Sequence, residues 1–201
     1  MKIYGNSDIG LVRRANEDSF RCENFSENTA LLVVCDGMGG ANGGSTASQM
    51  AVETIYTVLR EGLHDNMEPA ELRELLLHAV EEANMAVYRF SLAEPELRGM
   101  GTTVVAAVLQ KQAAYIAHVG DSRAYHVKPE GIEQLTVDHS MVQELVRSGD
   151  LTALQAKTHP QKNIITRAVG VNESVAADFM QETFLPGVVL LLCTDGLTNY
   201  V

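Results

Sequence analysis

The chain opens with mixed polar residues, and its first sustained apolar run is Leu31 to Cys35, LLVVC. A run this short, followed at once by glycines, predicts a strand buried on both faces rather than a helix. Asp36 is predicted as the first residue out of that strand. Gly37, Gly39 and Gly40 follow in a segment whose backbone is free to fold tightly. Lys2 to Ser7 reads as a short strand ahead of this run, and GLVRRANEDSF between them as a surface hairpin. Past the glycines the period changes. Apolar positions at three-and-four spacing predict one helix over about 46–60, with Ser45 as its N-cap. A second helix is predicted over about 69–91, with Pro69 in its first turn. Leu72, Leu76, Ala79, Ala83, Val87 and Phe90 form its buried stripe, and His78 lies opposite, on the solvent side.

Beyond Met100 the strand pattern returns. VVAAVLQ and AAYIAHV read as an antiparallel pair about Lys111-Gln112, continuing past Gly120 into RAYHV. Ile132 to Leu135 predicts a further strand, and Asp138-His139-Ser140 the start of a helix that runs to Ser148 and stops at Gly149. A short helical piece follows at Thr152 to Lys157. Residues 138–168 are polar and weakly periodic, which suits a flap over a site. Val175 to Phe184 and Val188 to Cys193 are strands about a Pro186-Gly187 turn, and a helix begins at Leu197. Strands alternating with two long amphipathic helices predict one α+β domain, two packed antiparallel sheets with helices outside.

Composition narrows the partners. A net charge of -11 with 26 acidic residues argues against a nucleic-acid or anionic-membrane surface, because phosphate backbones demand a basic patch. No apolar run approaches the roughly 18 residues of a membrane span, and MKIYGNSDIG lacks the apolar centre of a signal peptide. A cytoplasmic location is the expectation. Cys22, Cys35 and Cys193 have no metal-type spacing, and two lie in apolar strands, so buried free thiols are expected.

Candidate chemistry follows from where the aspartates fall. Asp36, Asp121 and Asp195 each sit at a strand end beside a glycine, and Glu17 and Asp18 follow Arg13 and Arg14. Five of the 16 glycines lie between Gly37 and Gly44, which marks backbone that must come close to something. Oxygen donors without a cluster of histidines or cysteines suit magnesium or manganese rather than zinc, copper or iron. If the carboxylates converge they cannot all stay ionised without a cation, and a two-metal site is the economical explanation. Arg13 and Arg14 beside these carboxylates form a candidate anion fork.

The ordered segments GLVRRANEDS, VVCDGMGG, GMGTTVVAA, HVGDSRAY, LTVDHSMVQELVRSGDLT, HPQKNIITRAVG and LLLCTDGLTNYV together resemble the metal-dependent protein serine/threonine phosphatases of the protein phosphatase 2C type, in their bacterial form. The resemblance spans nearly the whole chain. It implies a four-layer α-β-β-α sandwich with metals in the cleft between the sheets. It implies hydrolysis of phosphoserine and phosphothreonine in proteins by a metal-bridging water, with no covalent phosphoenzyme. Arg13, Asp36 and Asp195 would form the catalytic group. Asp36 would bridge two Mn²⁺ or Mg²⁺ ions, the Gly37 carbonyl would bind one and Asp195 the other. Asp18, with Glu17 adjoining, would hold metal-bound waters, and Asp121 would join a third, weaker ion with help from Asp195. Arg13 would hold the substrate phosphate, Arg14 being the less suited neighbour.

The resemblance also implies phosphoprotein partners, substrates of a serine/threonine kinase, and a monomer when complete, with neither nucleic acid nor membrane. Two departures stand out. Many bacterial relatives carry a histidine directly after DGMGG as a candidate general acid, where this chain has Ala41; His139 and His159 are the alternatives, each read first as structural. Family members also continue for several strands to a glycine-x-aspartate-asparagine motif, so residues 1–201 are expected to form a single catalytic domain lacking its C-terminal strands, with the flap at about 138–168. A catalytically impaired module that binds phosphorylated partners is the competing expectation.

Overall fold

A computed structural model of the chain describes residues 1–185 and 187–199, with 40–42 described by their backbone alone. Among the described residues the strands are β1 (Asp18–Asn24), β2 (Thr29–Met38), β3 (Gly101–Thr102), β4 (Val104–Gln110), β5 (Ala113–Val119), β6 (Arg123–Lys128), β7 (Gly131–Gln134), β8 (Asp178–Thr183) and β9 (Val189–Cys193). All pairings are antiparallel. The larger sheet has the order β1-β2-β4-β5-β8, with β3 set against the end of β2, and the smaller has the order β7-β6-β9.

Helices α1 (Gly40–Gly62) and α2 (Pro69–Ala93) cover one face of the larger sheet. Leu31, Val33 and Cys35 of β2, Val104, Ala106 and Val108 of β4, and Ala117 and Val119 of β5 all point into that layer. The opposite face, through Val105, Ala107, Ala114 and Ile116, packs on Ala124 of β6 and Phe184 to form the seam between the sheets. Each central strand thus splits its side chains between two apolar layers, which is why VVAAVLQ carries no polar alternation. The architecture is the expected α+β arrangement of two antiparallel sheets flanked by helices. No described helix is long and apolar enough to cross a membrane.

Four expectations change. Lys2 to Ser7 forms no strand, and Gly5 instead lies against the ring of Phe20. The region read as a hairpin leads into β1, a half-buried edge strand whose polar face hides its period. Asp36 belongs to β2, which runs on to Met38 because β3 pairs with Gly37 and Met38. Helix α1 begins at Gly40, so Ser45 sits inside it rather than at its cap. The glycines there do not mark a loop. A side chain on Gly37 would strike the Gly44 carbonyl, and one on Gly44 would strike the Glu17 carboxylate, so bare backbone is what lets the helix start rest on β2.

The continuation past Gly120 also holds with a twist: β5 and β6 are consecutive but lie in different sheets. In α2, Glu68 and Glu71 form a capping box ahead of Pro69, and the apolar stripe is buried as far as Val87. Buried Asn84 spends its amide on the carbonyls of Asn172 and Glu173 and on the Gly170 N–H, at 3.0, 3.1 and 2.8 Å, tying this helix to the segment ahead of β8.

Phe90 is 39% exposed, whereas Leu76 is fully buried. Leu76→Ala should therefore cost about 2–5 kcal/mol in urea unfolding, and Phe90→Ala clearly less. Equal losses would contradict this placement of α2.

Candidate metal centre

The centre is built by two strand registers. In the β1–β2 pair Asp18 lies directly opposite Asp36. In the β6–β9 pair Arg123 lies opposite Cys193, so Asp121, two residues before one, and Asp195, two residues after the other, emerge at the same end of the smaller sheet. Asp195 opens a short helix, Asp195–Thr198, predicted two residues later.

The backbone beneath Asp36 is pinned. Its N–H donates to the Thr103 hydroxyl at 2.9 Å, and its carbonyl accepts from the Thr102 hydroxyl and the Thr103 N–H, both at 2.9 Å. Gly37 donates to the Glu17 carbonyl at 3.1 Å, which joins the two strands where the acids meet. Thr194 donates its hydroxyl to Asp18 at 2.9 Å, and Asn199 its amide to Asp195 at 3.0 Å.

The carboxylates crowd one another. Asp36 has its pKa pushed up to about 8, by burial first and then by the charges of Asp18, Asp195 and Asp121. Asp121 is pushed up to about 6 by burial and then by Asp195 and Asp138. Asp18 is raised too, again chiefly by burial, against the pull of its bond to Thr194. All are oxygen donors. Such a set fits a hard divalent cation, whose charge would replace the protons that the crowding otherwise retains.

Arg13, whose side chain is 79% exposed, reaches to 4.0 Å from Glu17 and lowers the pKa of Asp18 by its charge. Arg14 is exposed. Gly37 follows Asp36 directly in β2. The structure thus brings together Asp18, Asp36, Asp121 and Asp195, with Glu17 and Arg13 at the margin.

Neither alternative histidine joins them. His139 is buried, its Nδ1 accepting the Gly120 N–H at 3.1 Å and its Nε2 facing Asp178 at 3.3 Å. His159 accepts the Gln161 N–H at 3.2 Å in its own loop. The side chain of Ala41 and the residue Pro186 lie outside the described residues.

Thr103, Thr194 and Asn199 were not legible as site residues. Thr194 adjoins Asp195, and Asn199 stands four residues beyond it at helical spacing, which is the one local signal available. Among the described residues the grouping of three donors whose atoms all lie within 4.8 Å of one another is His118, His139 and Asp178, tighter than that of the four acids. It does not suit a cation. The Gly120 N–H pointing at His139 Nδ1 leaves the proton of the neutral ring on Nε2, and Arg167 Nη1 stands 3.2 Å from that nitrogen and 2.8 Å from Asp178. A guanidinium already supplies the positive charge.

Two antiparallel sheets opening on a cluster of carboxylates define a class of protein whose donor set suits a hard cation. The protein phosphatase 2C family model matches residues 12–201, and the chain belongs to that family, which is metal dependent. The serine/threonine phosphatase stp of Listeria monocytogenes serotype 4b is 40% identical over 195 residues, covering 97% of this chain and 77% of the relative. The solved structure of serine/threonine phosphatase Stp1 from Staphylococcus aureus superposes with a TM-score of 0.88 at 38% identity, over 96% of this chain and 76% of that one. The catalytic domain of serine threonine protein phosphatase PstP, solved in complex with 2 manganese ions, does so with a TM-score of 0.80 at 32% identity, over 98% and 78%.

A carboxyl that holds its proton more tightly in the folded than in the unfolded chain stabilises the fold below its unfolded pKa, and that stability is lost as pH rises through the folded value. With Asp36 at about 8 and Asp121 at about 6, the chelated protein should lose thermal stability between about pH 4 and 8. Added Mn²⁺ should restore it, more at the upper end than at the lower. A melting temperature that responds equally to Mn²⁺ across this range would contradict the carboxylate cluster.

Proposed function

We propose that this chain hydrolyses phosphoserine and phosphothreonine in proteins, with Mn²⁺ or Mg²⁺ held by Asp18, Asp36, the Gly37 carbonyl, Asp121 and Asp195. The observation that carries this reading is that Asp18 lies register-opposite Asp36 while Asp195 and Asp121 stand near enough for their charges to raise its pKa further. The relatives' names as serine/threonine phosphatases support the substrate class. Bound there, a divalent ion supplies Lewis acidity, which lowers the pKa of coordinated water and offsets charge on the phosphoryl oxygens.

The chain's own residues support a direct attack by water. Cys35, next to Asp36, is fully buried with its thiol pKa raised by that burial, so it is no nucleophile. Ser48 is buried and its hydroxyl shares a hydrogen bond with that of Ser19. Arg13 has both the freedom and the planar donor fork to take two phosphoryl oxygens, and Glu17 lies beside it to orient water. Asp36, at the centre of the acids, sets the spacing of whatever positive charge enters. Residues 1–201 belong to a single catalytic domain, with residues 138–168 as its flap.

Asp36→Asn should cut phosphate release from a phosphothreonine peptide in Mn²⁺ by about 10²-fold or more. Unchanged release would reject the site. Phosphopeptide binding by the parent chain without any release would replace hydrolysis by a binding role.

Arg13→Ala removes a charged hydrogen-bond donor and should lower kcat/KM by about 10- to 100-fold, mainly through KM. Partial recovery in Arg13→Lys is expected, since a point charge replaces half of a fork. A loss confined to kcat would place Arg13 elsewhere in the reaction.

A further inference from the structure

The turn that carries Asp121 is where the chain leaves one sheet for the other, and no ladder holds it. Gly120 has φ +103, and a side chain there would meet Thr103 at 2.6 Å, so the turn is threaded tightly past the residue that joins β3 to β4. What holds it comes from a distant dipeptide, Asp138-His139.

His139 grips Gly120 twice. Its N–H donates to the Gly120 carbonyl at 2.8 Å, and its Nδ1 accepts the Gly120 N–H at 3.1 Å. On the far side of Asp121, Arg123 makes a two-pronged bond to Asp138, Nε at 2.9 Å and Nη2 at 2.7 Å. Between them the Ser122 hydroxyl meets that of Thr103 at 2.7 Å, and Thr103 accepts the Asp36 N–H. Every neighbour of Asp121 is therefore fixed, two of them by consecutive residues.

The same dipeptide begins the flap and receives its return. Thr166 donates to the His139 carbonyl at 2.8 Å, Met141 donates to that of Ile164 at 2.9 Å, and Ser140 bridges Ile165. Arg167 then closes on Asp178 of β8, which also faces His139 Nε2. The ring of His118 lies 4.3 Å from that of His139, fully buried with neither nitrogen partnered, so it packs against His139 as a neutral surface.

We propose that Asp138 and His139 are positioning residues, a bracket that sets Asp121 and couples it to the two ends of the flap. This rests on the reading of Asp121 as a ligand of the weaker cation. Displacing 140–166 has to move His139, and His139 cannot move without carrying Gly120. The flap and the affinity of the Asp121 position for a cation are then two readings of one geometry.

The test uses the whole chain. In His139→Asn the amide oxygen takes the place of Nδ1 and keeps the bond to Gly120; in His139→Gln it lies too far out and that bond is lost. Mn²⁺ binding is followed by calorimetry, and hydrogen exchange is read at 119–123 and 164–168. His139→Asn should keep the weakest Mn²⁺ step within about twofold and leave exchange at 119–123 protected. His139→Gln should weaken that step about tenfold and raise exchange in both segments together. Equal behaviour of the two variants, or faster exchange at 119–123 with an unchanged isotherm, would overturn the bracket.

Should the histidine variants not fold, Arg123→Lys keeps the charge, breaks the two-pronged bond to Asp138 and should weaken the same step; an unchanged isotherm would again overturn it. Asp121→Asn separates the two readings. It should delete the weakest Mn²⁺ step while leaving exchange at 164–168, read without Mn²⁺, as in the parent. If no step disappears, the assignment of Asp121 as a ligand fails, and the exchange difference between His139→Asn and His139→Gln still decides the bracket.

Discussion

Negative charge facing negative charge across a strand pair is the constraint on which this structure depends. Asp18 and Asp36 are register partners, and Asp195 arrives at Asp36 from the other sheet. Left to themselves such groups would part. The sheet does not allow it, because β2 is paired along its length with β1 on one side and β4 on the other, and a slip of one residue would turn Asp36 into the opposite layer. Protons or cations must therefore neutralise the cluster where it stands.

The two sheets divide the work. The larger one, braced by α1 and α2, holds Asp18 and Asp36 on rigid backbone. The smaller one delivers Asp121 and Asp195 from adjoining strands, Asp121 on the way into β6 and Asp195 on the way out of β9. The apolar seam of Val105, Ala107, Ile116 and Phe184 against Ala124 keeps the sheets in register with each other, so burial far from the acids sets the distance between them. Small residues do as much as large ones. The contact of Gly37 with Gly44 brings the start of α1 onto the strand end that bears Asp36, a closeness that any side chain would prevent.

Much of this was legible along the chain. The apolar runs of β2, β4, β5 and β9, the stripe of α2 with its proline start, and α3 (Met141–Ser148), with Ser140 as cap and Gly149 as stop, follow from local chemistry that needs no partner. Polar β1 escaped because an edge strand with one wet face shows only a blurred period. The start of α1 escaped because glycine reads as a break wherever its neighbour in space is unknown. The aspartates could be singled out by their place at strand ends. Their helpers could not: Thr103, Thr194, Asn199 and Asp138 are ordinary polar residues until the fold shows what they touch.

The sequence by itself determined the element types, the donor chemistry and the family, since each depends on residue identity and short spacing. Tertiary structure alone decided which carboxylates meet, that burial raises the pKa of Asp36 and Asp121, and that His139 holds the Asp121 turn rather than serving beside the acids. Those outcomes depend on distances between residues up to about 180 positions apart, such as Asp18 and Thr194. Side-chain pattern says which face of an element is buried, whereas register and sheet packing say what it is buried against.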